Sequence, residues 1–435
     1  MSVAEHLLAS SEELDDETQA NEDVLVFNQL QESVADHDAA LRGIHNDECL
    51  REMVSDLNIV ASTMESASLA ELALMQIAAN LAGMNAGYSA ESLYPSLESS
   101  EGTRVSTEST KDVIDSLWER IYRAIKALIK GFIAFWKTVF DAVDRLRRAN
   151  TRMKVRAGAT VGRNPTVSTV TLRREVDKLS LRGVPPSSGP EIVRNMTEAR
   201  HQLEVILGNY ISNVTDAGEA LKTALGNTRV GPEDYLEGVV TAANRLQMTR
   251  IASMLSAKAY RDVRFRANEV LVAPPLPGNK SLFVRTGGDG LKSDDLFVRA
   301  QAARSQGIQL AYSDARDFPA HSDYPIQTMS AKDVQALATV MDQILSVISD
   351  FVKGSTKDKL SRLHSSLLDT SASAKNTLYS GAVATTDSRY YEAALRFNTA
   401  FAGWSGNPHD ALVTHLLSVC RAALVLGNKS LLAHG

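Results

Sequence analysis

Apolar residues recur every three or four positions along most of the chain, the period of helices with one buried face. Leu50, Val54, Leu57, Val60 and Met64, then Leu69, Leu72, Met75, Ile77 and Leu81, predict one or two helices across 25–84. From Lys111 the series is longer: Ile114, Leu117, Ile121, Ile125, Leu128, Phe132, Phe135, Val139, Val143 and Leu146. It predicts a helix with a persistent apolar stripe that would reach roughly 65 Å if it continued to about residue 155, with Gly131 as a candidate kink. Helices are expected at 191–225 and at 232–257, where Pro232 suits the first turn and Glu233 and Asp234 suit the helix dipole. Ser330, an N-cap residue with Asp333 three positions on, opens a last helical stretch at about 331–352, 357–380, 387–402 and 409–426.

Two stretches break the helical period. Residues 157–190 read as loop with a short strand near Thr166–Leu172 and end in the breaker PPSSGP. Residues 262–328 carry β-rich runs at Glu269–Ala273, Ser281–Arg285 and Ile308–Tyr312, divided by PPLPG and TGGDG turns. The expected fold is therefore mainly α, a long basic amphipathic helix followed by a helical body with a small β insert. The expected division is an acidic segment 1–110 whose end, 85–110, is a flexible linker, the helix 111–156, a linker 157–190 and the body 191–435. No short internal period is present, which argues against a solenoid.

Charge adds the strongest signal. The net charge of −6 is unremarkable, but residues 1–110 hold 21 Asp and Glu against Arg42, Arg51 and Arg104, a balance of −18, so everything after carries +12. Opposite signs in two parts of one chain let those parts attract each other, and a basic body has the electrostatics to hold nucleic acid. Seven carboxylates between Glu12 and Asp23 predict self-repulsion and disorder at the start. Residues 85–110, rich in Ser, Thr, Gly and Glu, have the composition of exposed chain, where proteases cut. There a small residue stands two before Glu in Ser89-Ala90-Glu91, Ser96-Leu97-Glu98, Ser99-Ser100-Glu101 and Ser106-Thr107-Glu108.

Between Arg120 and Arg156 eleven Lys and Arg face two acids, Asp141 and Asp144. Packing in a larger assembly is the leading reading of the helix, since so long an apolar seam needs a partner surface. Trp118, Phe132, Phe135, Trp136 and Phe140 beside many cations also match an interfacial membrane helix, the second reading. Lys126, Lys130 and Lys137 interrupt the run too often for a bilayer span. Arg145, Arg147, Arg148, Arg152, Lys154 and Arg156 at its end are the candidates for phosphate contact.

Cys49 and Cys420 give neither a disulfide framework nor metal spacing, and the acidic start MSVAEHLLASSEELDDETQ lacks the basic and apolar parts of a secretory signal, so synthesis and retention inside a cell are expected. Neither Lys353-Gly354-Ser355-Thr356 nor Gly427-Asn428-Lys429-Ser430 has the order of a phosphate-binding loop, and Gly287-Gly288-Asp289-Gly290 reads as a turn. The nine histidines show no metal spacing; His409, Asp410 and His415 are the nearest approach. No serine-nucleophile elbow is present, and neither an enzyme, a cofactor nor a metal is expected.

An acidic leading segment, small-residue-x-Glu tripeptides, a Trp-bearing basic helix and a helical body with a Pro-rich β insert together resemble the internal head (inner body) proteins of phiKZ-like giant bacteriophages. The resemblance implies a propeptide that the prohead protease removes by cutting after Glu in Ser/Ala/Gly-x-Glu, and a mature protein in the virion interior with packaged DNA and sibling internal head proteins, synthesised in the host cytoplasm and in many cases ejected into the host. It carries over to Glu108, Glu101 and Glu91, with Glu108 favoured because a cut there removes all 21 acids. The same pattern occurs in the body at Ala217-Gly218-Glu219 and Ala267-Asn268-Glu269. A membrane-active protein using the 111–156 helix is the alternative function, with a membrane surface as its partner.

Overall fold

A 54-residue helix, α1 (Thr107–Thr160), about 80 Å long at the helical rise, is the longest element described in the computed structural model. The structure describes residues 28–36, 39–40, 42–43, 107–260, 270–313, 321, 323–378, 386–406 and 408–434; 73% is helix and 9% strand. The helices expected across 44–84 lie outside the described residues. After α1 come β1 (Thr169–Leu172), the short α2 (Glu175–Leu179) and α3 (Gly189–Glu204). A single π turn, Val205–Tyr210, joins α3 to α4 (Ile211–Gly226), so the expected helix at 191–225 is one rod with a bulge. The bulge lets the buried Tyr210 donate its hydroxyl proton to the Trp404 carbonyl at 2.9 Å.

Where one helix was expected at 232–257, α5 (Pro232–Ala243) and α6 (Met248–Met254) are separated by a 3-10 turn and by Gln247 in the left-handed region (φ 50°). The Leu246 carbonyl freed by the break accepts from Asn213 Nδ2 at 2.9 Å, which offsets the lost ladder bond. Strands β2 (Lys258–Ala259), β3 (Val270–Val272), β4 (Lys280–Arg285) and β5 (Gly307–Tyr312) form an antiparallel sheet in chain order, with Val284 opposite Ile308. Helix α7 (Leu296–Arg304) interrupts them, a helix not expected from the sequence; the Asp295 carboxylate caps it by accepting from the Phe297 and Val298 amides. Strand β6 (Tyr324–Gln327) pairs antiparallel with β1. Pro325 obscures β6 in the sequence, yet a two-stranded ribbon is all edge and tolerates proline.

The remainder is helical: α8 (Ala331–Lys353), α9 (Ser355–Leu378), α10 (Thr386–Leu395), α11 (Phe397–Gly406) and α12 (His409–Leu432). Ser330 caps α8 by accepting from the Asp333 amide, as its spacing predicts. The helix expected at 387–402 is two, α10 and α11, although the Ala400 amide still reaches the Arg396 carbonyl at 3.2 Å, so the hydrogen-bond ladder runs through the break. Helix α12 runs to Leu432, past the end expected at about 426. Gly427 marks instead a close crossing with α1, since a Cβ there would collide with Met153 Sδ.

Helix α12 is the centre. Seventeen of its 24 residues are buried, and α1, α2, α3 and α8 pack on it. The apolar window within Arg389–Leu432 is long enough to cross a membrane, but 78% of it is buried inside the protein, as in a core helix. The β sheet is fastened to the helices by polar contacts: Gln202 Nε2 donates to the Pro274 carbonyl at 3.0 Å and Trp404 Nε1 to the Gln306 carbonyl at 2.8 Å.

Candidate functional site

Helix α1 presents a different chemistry on each side. Inward, Ile121, Ile125, Phe135, Trp136, Val139, Val143, Leu146 and Met153 are buried, a line that follows the helical period. Trp136 is held between Phe351 (ring centroids 4.8 Å apart) and His409 (5.7 Å, stacked at 11°). Of the five aromatic positions singled out on this helix, Phe135 and Trp136 are core side chains, while Phe140 is 38% exposed with Lys353 Nζ 5.6 Å from its ring centre. The side chains of Trp118 and Phe132 lie outside the described residues.

Outward, the carboxyl-terminal part of α1 is basic. Arg148, Arg152, Lys154 and Arg156 are exposed, and Arg148, Arg152 and Arg156, four residues apart, form one ridge. Arg148 shares its charge with Asp144 at 3.3 Å, but both side chains are more than half exposed, so water screens the pair. Arg145 and Arg147 are half-buried. The Arg147 guanidinium donates to Ser346 Oγ at 2.8 Å and Ser349 Oγ at 3.4 Å on α8, beside Asn150, whose Nδ2 donates to the Ala338 carbonyl at 2.8 Å. These two polar residues hold α1 in rotation about its axis, which fixes the ridge toward solvent. No acid lies between Asp144 and the end of α1.

Of the cleavage candidates, Glu108 stands in the first turn of α1; Glu101 and Glu91 lie outside the described residues. The body tripeptide Ala217-Gly218-Glu219 is inside α4, with Ala217 and Gly218 buried. A Cβ on Gly218 would strike Leu363 and Phe401, so the helix is clamped there by α9 and α11. Ala267-Asn268-Glu269 lies outside the described residues.

The histidines turn to structural work. His409 Nε2 stands 3.3 Å from Asp410 Oδ1 in the core, and His415 Nε2 donates to the Pro277 carbonyl at 2.6 Å, joining α12 to the loop before β4. Gly278, at φ +84°, lies so close to that ring that a Cβ would meet it. Burial first, then Lys280 and Lys178, push the His415 pKa down to about 3 against the weaker opposing pull of the Pro277 bond, so the ring is neutral. Among the described residues no three His, Cys, Asp or Glu side chains gather as a metal site.

One pair that sequence reading passed over is Ser405 and His364, hydrogen-bonded through Oγ and Nε2 between α11 and α9. Ser405 is fully buried and its hydroxyl proton goes to the Phe401 carbonyl at 2.7 Å, which leaves His364 as the donor. The pair ties α11 to α9 inside the core, where the His364 ring also packs on Phe401 with centroids 4.8 Å apart. Nothing in the spacing of a serine and a histidine 41 positions apart could have signalled it.

A family model of phiKZ-like phage internal head proteins matches residues 5–426. Comparison with curated proteins and with solved structures returns no match.

Proposed function

The chain belongs to the phiKZ-like phage internal head proteins, whose place is inside the capsid, and from that premise we propose that it is a precursor whose acidic leading segment is cut away before the body associates with packaged DNA. The observation that carries this is the change from −18 over residues 1–110 to +12 over the rest, at a boundary holding Ser99-Ser100-Glu101 and Ser106-Thr107-Glu108. While joined, the acidic part offsets the basic part and limits indiscriminate binding to nucleic acid; once it is removed, the sign of the protein reverses. The prohead protease is the partner for the cut, at Glu101 or Glu108, with Glu91 further back. A protease takes extended, accessible chain, which disfavours Ala217-Gly218-Glu219, whose Ala217 and Gly218 are buried inside α4.

The DNA-facing surface in this reading is the exposed ridge Arg148, Arg152 and Arg156 with Lys154, while Arg147 anchors the helix to α8 and Arg145 is half-buried. Such contacts neutralise phosphates without reading sequence. The body packs with sibling internal head proteins, and ejection into the host belongs to the same proposal. The protein acts by mass and charge rather than as an enzyme.

The test is the amino terminus of the protein in purified particles, read by mass spectrometry. Gly102 or Ser109 is expected, and an intact Met1 or Ser2 would sink the precursor reading.

A further inference from the structure

The acidic segment also touches the body through apolar contacts, and these deepen the precursor reading, on which this inference rests. Residues 28–36 are helical. Leu30 is fully buried within the main core, Val34 packs against it half-buried, and Ala40 packs on a separate patch formed by Ile121, Ile125 and Leu368. A cavity of about 370 Å³ remains between the segment and α1, with Glu32 and Asp36 on one side and Gly131 and Phe135 on the other. Gln29, Glu32, Ser33, Asp36 and Ala40 all line this cavity together with Ala127, Gly131 and Phe135, so the segment lies alongside α1. Exposed Arg123, Lys126 and Lys137 on α1 are opposite in sign to Glu32 and Asp36.

We propose that residues 28–36 with Ala40 form an intramolecular cover over the apolar strip of Ile121, Ile125, Phe135 and Leu368, held by its tether and released when the chain is cut between 91 and 108. The described contact consists of one buried leucine, one half-buried valine and one alanine. That is far less apolar surface than free association needs to offset the loss of translational freedom. The attraction between acidic segment and basic body is screened beyond about 8 Å at physiological ionic strength and assists without holding. The covalent link through residues 44–106 adds to this contact by keeping the segment at high local concentration. Cutting that link changes the body in two ways at once, reversing its net charge and baring the strip.

The test uses the full chain with a site-specific protease sequence inserted between Gly102 and Thr103. After cutting at micromolar concentration, the acidic fragment is expected to leave the body on size-exclusion chromatography. Binding of the apolar dye bis-ANS should rise several-fold, and amide exchange over 121–136 should accelerate. The uncut Leu30→Asp variant should reproduce the dye and exchange changes with its helical circular dichroism intact. Release followed by dimerisation of the body also supports the proposal, the second copy then taking the strip. Co-elution of fragment and body with unchanged dye binding would overturn it, as would Leu30→Asp leaving exchange over 121–136 untouched. The engineered cut is independent of what occurs in particles, so failure here leaves the cleavage reading standing, and an intact Met1 in particles leaves this contact standing.

Discussion

Helices α12 and α1 are both long and both touch the core, yet they are held in opposite ways. Seventeen of the 24 residues of α12 are buried, including His409, Asp410, Thr414 and His415, so its surroundings fix it on every side. Helix α1 is fixed along one line of apolar residues and by Arg147 and Asn150 on α8, which frees the opposite face to carry charge. A helix enclosed all round is committed to stability. A helix held by a stripe keeps a surface for something else, and its rotation about its own axis decides what that surface shows.

The comparison breaks if the stripe contributes little. Trp136→Ala removes the side chain stacked on His409 and packed against Phe351, and unfolding by denaturant should show a loss of about 3–5 kcal/mol, the range for a fully buried aromatic. On the α12 side the leverage is acid. The His415 pKa is about 3 in the folded protein against 6.5 ordinarily, so between those values the unfolded chain binds the extra proton. Stability is full above pH 6.5 and falls as pH drops toward 3, by about 1.4 kcal/mol per unit within that window. His415→Gln retains a donor for the Pro277 carbonyl and should flatten this slope in thermal melts against pH.

A smaller effect tests the clamp on α4. Gly218→Ala forces a Cβ toward Leu363 and Phe401 and should cost about 1–3 kcal/mol, read as a lower denaturant midpoint. The smallest change in stability, within about 0.5 kcal/mol, is expected from replacing Arg148, Arg152 and Arg156 together by Ala, because all three are exposed. That same variant should weaken DNA binding of the cut protein and reduce the slope of log affinity against log salt by about 0.9 for each phosphate it no longer neutralises. Unchanged DNA affinity would mean that the free face of α1 serves another partner, and binding to anionic vesicles would then measure the membrane alternative.

How much of this the sequence carried depends on how local each cause was. Helix α8 follows from period and capping, because Ser330 and Asp333 stand next to the turn they define. The end of α12 was missed because Gly427 looks like a stop signal when Met153, distant in sequence, is out of view. Strand β6 was missed because Pro325 argues against a strand until its partner β1 is known to leave it an edge. Within the candidate site, the sequence identified six cations at the end of α1 but could not divide them. The hydroxyls of Ser346 and Ser349, some two hundred positions away, draw Arg147 inward. In the same way Trp136 was legible as apolar, while its commitment to the core depended on Phe351 and His409 arriving from other helices.

The burial of Cys420 in the middle of α12 has a practical consequence. Its thiol is pushed up to about 12, so essentially none of it is thiolate at neutral pH. The chain's other cysteine, Cys49, belongs to the acidic segment and would depart with it. A processed body would then carry one sulfhydryl, silent toward alkylating reagents until the centre of the protein opens. The rate at which iodoacetamide labels it is thus a built-in clock for the breathing of α12, and it runs without any engineered probe.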